Sequence, residues 1–246
     1  MTLSVDRCVE AITTHSRGFA EAARAADLRA RVDSCPGWDV GDLVWHLTDV
    51  HWFWATIVEG RLPERPDEAL RPPRRPDAEL VDTFGAAAAH LAEVLSTPDQ
   101  DAHCWTWATW QQNVAFVTRH QVQEAAVHHW DAANAAGLTM SIAPDVAADC
   151  VEEFLDFSIP NPVDPDDPPG GTLDGELVLR ATDTGQAWRI RDGARVGTLH
   201  WSPDSSSDPA VEGSASDMIL WLYSRVDLPV PDEALVSRFR ALSFTD

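Results

Sequence analysis

Glu124 and His128 stand four residues apart within the run Arg119–Asp131. On an α-helix that spacing puts a carboxylate and an imidazole on one face, one turn from each other. A third donor lies upstream, where Cys35-Pro36-Gly37-Trp38-Asp39 leads into an amphipathic stretch that carries His46. Two imidazoles and a carboxylate from two helices, with a fourth position open, form the donor set of a catalytic zinc site. Taken singly, each signal is weak. Glu/His pairs four apart are common on solvated helices, and a lone histidine on an amphipathic helix is more often a partly buried polar residue. Their shared setting strengthens them. Val122, Ala125 and Ala126 flank one pair and Leu43 and Leu47 flank His46. The donors therefore lie on or beside buried faces, where a carboxylate among imidazoles needs a compensating cation.

Neighbouring polar residues compete for roles. His51 follows His46 by five residues, ~140° round the helix, and is read as lying outside the site. His120, one turn before Glu124, is a candidate fourth ligand or pocket base. His129 points away from His128 and is read as structural. Asp131, three residues past His128, either orients that imidazole or is a solvent-exposed acid, and exposure is the plainer reading. Trp38, Trp45, Trp52, Trp54, Trp105, Trp107 and Trp110 cluster in the same part of the chain. They are read first as packing and second as an aromatic wall around a substrate pocket.

The elements that position these residues follow from periodicity. Helices are expected near 4–26, 40–59, 77–95 and 112–136, with Asp39 and Asp42 as a capping box for the second and Gly137 closing the fourth. The stretch 61–76 holds five prolines and several arginines and reads as a surface loop. Four long helices suggest an up-and-down bundle, a frame in which metal sites are built from facing helices. A shorter helix at 146–157 is assigned to the same domain, 1–157, and the Pro/Asp-rich segment Ile159–Gly171 to a linker. The remainder, 158–246, reads as a smaller α/β domain. Its strands fall near 176–180, 187–190, 196–201 and 211–213, with an apolar helix from Ser214/Ser216 to about Arg225 and a last helix over 231–242. The fold class is α+β. Arg225 is expected in the last turn of its helix, where the dipole favours a cation. It is equally a candidate for bidentate binding of a carboxylate.

Composition excludes several functions. The chain has 246 residues and a formal charge of -22, so nucleic acid and anionic lipid are poor partners. No apolar run approaches ~20 residues, and no export signal is read at the start, which favours the cytoplasm. All 18 basic residues are arginine. Lysine Schiff bases and a P-loop lysine are thereby excluded. Neither GxGxxG nor GxSxG occurs. Four scattered cysteines without a CxxC pair read as free thiols, not a zinc cluster.

The segments Cys35-Pro36-Gly37-Trp38-Asp39-Val40…Asp42-Leu43-Val44…His46-Leu47 and Glu124…Ala126-Val127-His128…Asp131-Ala132 resemble the mycothiol-dependent maleylpyruvate isomerase family. The tail Val211-Glu212-Gly213-Ser214…Ile219-Leu220…Leu222…Arg225 resembles its carboxy-terminal part. The resemblance implies a DinB-like metal-binding four-helix bundle plus a small C-terminal α/β domain. It implies His46, Glu124 and His128 as ligands to zinc or another divalent metal, with mycothiol as cosubstrate in an actinobacterial cytoplasm. It makes Arg225 a residue of the catalytic machinery. One departure stands out: Gln123 occupies the position before the glutamate, where the family usually has histidine. The implied activity is a thiol transferase or cis-trans isomerase acting on a small electrophile such as maleylpyruvate, in a monomer or homodimer. A non-catalytic metal or small-molecule binding protein and a thiol-independent zinc hydrolase, with His120 as base, are the rival classes.

Overall fold

The computed structural model describes residues 2–97, 99–159 and 171–245. The linker expected over Ile159–Gly171 lies outside the described residues except at its two ends. Two compact units divide the chain at Ser141/Ile142.

The first unit contains α1 (Val5–Ala25), α2 (Val40–Gly60), α3 (Asp77–Leu95) and α4 (Val114–Ala135). Three of these four starts have a side-chain cap. Ser4 and Asn113 accept backbone N–H bonds at the heads of α1 and α4, and Asp39 with Asp42 forms the expected capping box on α2. Gly137, at φ +68°, ends α4 with the Leu138 N–H bonded to Ala133 O.

The helix order departs from the expected up-and-down arrangement. One core cluster joins the ends of α1 and α4 (Phe19, Ala23, Ala132, Ala133) to the starts of α2 and α3 (Val40, Leu43, Leu80, Phe84). So α1 and α4 run one way and α2 and α3 the other. α1 packs on α4 and α3, while α2 packs on α3 and α4. Parallel neighbours cannot be joined by a tight turn. The 61–76 stretch therefore returns along α2. Arg71 bonds Asp49 through Nε and Nη2 at 2.6 and 2.5 Å, and Arg74 pairs with Asp42, nearer the start of the helix. Arg29 then ties Asp39 to Asp77 at the head of α3. The crossover holds one 3-10 turn, Glu68–Leu70, and its prolines forbid a longer helix.

The second unit contains α5 (Pro144–Phe157), β1 (Leu177–Ala181), β2 (Ala187–Asp192), β3 (Leu199–Pro203), β4 (Val211–Gly213), α6 (Ala215–Leu222) and α7 (Glu233–Leu242). The sequence reading placed α5 in the first domain. In the structure it packs on α6, with the Phe154 and Tyr223 rings 5.3 Å apart, and the unit boundary falls before it. The sheet order is β3-β2-β1-β4, antiparallel except for the β1–β4 pair. β3 starts later than expected, because Gly197 turns at φ +78° and Val196 is exposed. α6 covers β1 and β4, and Leu177, Leu179, Trp188, Ile190, Val211 and Ile219 form the core. Among the described residues no helix is long and apolar enough to cross a membrane.

Candidate metal centre

α2 and α4 pack on each other and carry opposing polar residues. His46 Nε2 lies 3.2 Å from Glu124 Oε1, and His128 Nε2 lies 3.5 Å from the same oxygen. All three donor atoms fall within 4.8 Å of one another. Donors around a tetrahedral zinc at ~2.0–2.1 Å would stand about 3.3 Å apart, so the set fits a divalent ion with little adjustment. Glu124 and His128 are buried, whereas the side chain of His46 is 33% exposed. One flank of the cluster is therefore reachable, and the Trp38 ring stands beside it, 4.8 Å from that of His46.

Asp131 was read most simply as a solvent-exposed acid; the structure overturns this. It is 1% exposed. His128 Nδ1–H donates to its Oδ2 at 2.8 Å and Ser34 Oγ–H to its Oδ1 at 2.6 Å. The Cys35 thiol stands 3.8 Å from Oδ2. The Cys-Pro-Gly-Trp turn thus reaches across to α4. Because a carboxylate can only accept, one His128 proton is held at Nδ1, which leaves Nε2 to face Glu124 with a second proton or, with a cation bound, with its lone pair.

Burial alone would raise the Glu124 carboxyl, but His128 and His46 outweigh it and hold it well below the usual range. Burial alone would likewise lower His128. Glu124 and Asp131 more than reverse this and raise it to about 9. In the absence of a cation, a proton on His128 offsets one of the two buried carboxylate charges.

The other predicted residues fall into distinct places. His120 is buried outside the three-donor cluster, stacked on Phe116 at 5.5 Å and edge-on to Trp107 at 5.6 Å. A fourth-ligand role is not supported by that position. Trp54, Trp105 and Trp107 contact one another in the same aromatic layer, whereas Trp110 is exposed. His129 faces α1, its Nδ1 3.1 Å from that of His15. His51 is fully buried with its ring on Phe84. In the second unit Arg225 lies beyond the last turn of α6. Ser224 takes φ +61° and the Arg225 N–H bonds Leu220 O, a Schellman ending without glycine. Its guanidinium donates through Nη1 to Tyr223 O at 2.7 Å and lies over the Tyr223 ring.

A family model for the mycothiol maleylpyruvate isomerase N-terminal domain matches residues 9–133, and one for the C-terminal domain matches 145–237. Two solved structures are similar, the mycothiol-dependent maleylpyruvate isomerase and a point mutant of it. Each has a TM-score of 0.59 and covers 92% of this chain and 92% of its own, at 13% and 12% identity. At such identity the likeness is one of fold. No match was found among curated proteins.

Proposed function

This chain belongs to the mycothiol-dependent maleylpyruvate isomerase family, a family of enzymes, and from that premise we propose a metal- and mycothiol-dependent isomerase or S-transferase acting on a small electrophile. The observation that carries the reading is the convergence of His46, Glu124 and His128 from two helices on one point, with one flank open.

His46 Nε2, Glu124 Oε1 and His128 Nε2 would hold the ion. When bound, a cation such as zinc supplies Lewis acidity that favours the thiolate form of a thiol at neutral pH. The protein's own groups do the rest. Asp131 fixes the ring orientation and tautomer of His128, and Ser34 fixes Asp131. Glu124 contributes the charge that makes the buried site attract a cation. Trp38 walls the open flank and helps exclude water. In the isomerase reading, the thiol sulfur adds to one carbon of an activated cis double bond. The resulting single bond rotates, and elimination of sulfur leaves the trans alkene and the unchanged thiol. In the transferase reading, the new sulfur–carbon bond persists and the acceptor's leaving group departs. Arg225, in the second unit, is a further candidate on the family resemblance, since a guanidinium matches a carboxylate bidentately. His120 is assigned to the aromatic layer beneath Glu124.

The test pairs metal analysis with turnover. Zinc-reconstituted protein should isomerise maleylpyruvate or conjugate an electrophile only when mycothiol is added, and Glu124→Ala should lose both metal and activity. Hydrolysis without thiol would support the zinc-hydrolase reading instead. Stoichiometric binding without turnover would support a binding protein.

A further inference from the structure

A groove of about 280 Å³ lies between α2 and α3 under the crossover, apart from the three metal donors. Trp45 and Trp52 of α2 face Ala86 and Ala87 of α3, and Pro72 and Pro73 form the roof. The space has a sequence cause. The run Gly85-Ala86-Ala87-Ala88-Ala89 presents small side chains where α2 presents indoles, and the part of the crossover above it, Pro72-Pro73-Arg74-Arg75, has no large aliphatic or aromatic side chain to fill the gap. The volume sits at the lower edge of small-molecule sites, which run from about 300 Å³ upward.

Thr48, Asp49, Thr83 and His90 line this groove, Asp49 paired with Arg71 and His90 with Glu59, and two further polar features mark it. His51 lines it while being fully buried, and neither ring nitrogen has a hydrogen-bond partner. A buried group left unsatisfied costs about 1–3 kcal/mol, so such groups are rare without a reason. Burial pushes this imidazole down to about 3. The ring is therefore neutral, with one donor and one acceptor to offer. The second feature is Arg75. The crossover's Arg71 and Arg74 are committed to Asp49 and Asp42, but Arg75 lines the groove and has no carboxylate within ion-pair distance among the described residues.

We propose that this groove is a binding site for a small planar aromatic acid. The carboxylate pairs with Arg75, the ring packs against the tryptophan and proline walls, and a polar ring substituent bonds His51. The inference does not depend on the metal reading.

Para-hydroxybenzoate is the probe, with benzoate lacking the hydroxyl and phenol lacking the carboxylate. Calorimetric titration of the full chain should show binding of para-hydroxybenzoate that Glu124→Gln leaves unchanged. Arg75→Ala should weaken both acids by about tenfold or more, the equivalent of one charge-assisted bond, and leave phenol unaffected. His51→Phe should reduce para-hydroxybenzoate to the affinity of benzoate without changing benzoate itself. Ala87→Leu, on the groove wall, should fill the space and weaken all three ligands. A thermal melt checks that each variant folds. The absence of binding would overturn the site. So would binding indifferent to both Arg75→Ala and Ala87→Leu, and binding lost in Glu124→Gln, which would place the acid at the metal centre.

Discussion

His128 and His129 are consecutive on α4, yet the two sides of the helix give them opposite chemistry. On the α2 side, His128 lies between the Glu124 and Asp131 carboxylates and is raised to about 9. On the α1 side, His129 faces another imidazole, and burial lowers both it and His15, the latter to about 4. Both sides are largely shielded from water, so burial alone does not separate them. The difference is the sign of the partner. Two carboxylates make a site that must hold a cation or a proton, whereas two imidazoles sharing one hydrogen bond make a neutral contact that holds helices together.

Removing the carboxylate that defines the α2 side should have the largest effect. Glu124→Ala is expected to abolish metal retention, from about one zinc per chain to none by elemental analysis. Zinc retained in full would mean that the two sides do not differ in this way. Asp131→Asn is a finer cut, since it keeps all three donors and removes the charge behind His128. Metal affinity measured by chelator competition should fall about 10–100-fold. Unchanged affinity would reduce Asp131 to a packing residue.

The α1 side is probed by Gly18→Ala. A Cβ there would fall 2.3 Å from Cε1 of His129, so the imidazole pair must shift. A loss of about 1–3 kcal/mol in denaturant unfolding is expected, with metal content untouched. A drop in zinc would show that the two sides are coupled.

The smallest effect is on pH dependence after chelation. His15 and His129 titrate below the ordinary 6.5, so the unfolded chain takes up protons first and stability is lost as pH falls from 6.5 through about 4. His128 titrates above 6.5, so its contribution is complete below that value and is lost as pH rises through about 9. The thermal midpoint should therefore peak near pH 6.5, and Glu124→Gln should flatten the alkaline limb above it. A midpoint that keeps rising to pH 9 in the parent protein would deny the ion-paired state of His128.

The donor trio was legible in the sequence because helical periodicity reports which residues share a face, and the flanking Val122, Ala125, Leu43 and Leu47 showed that the faces were buried. Caps were legible for the same local reason, as with Asp39, Asp42 and Gly137. Direction was not. Periodicity is unchanged when a helix is reversed, so nothing local told α2 and α3 to run parallel. The role of Asp131 depended on Ser34, 97 positions away. The amphipathic stripe of α5 showed that it joins a core but not which one. His51 was correctly separated from the donors by its angle. Its complete burial without a partner arises from packing against Phe84 and could not be seen from spacing.

The order of helices around the first unit also bears on how the chain folds. α1 finds its main partner in α4, the last helix of the unit to be made, and the donors on α2 and α4 are 78 positions apart. Pairing α2 with α3 closes only a short loop, whereas joining α1 and the metal donors closes the longest loop in the bundle. A ribosome-bound chain would therefore assemble its α2–α3 half first. The three donors would meet only in the final step, so that the polypeptide becomes able to capture a cation only when the bundle is complete.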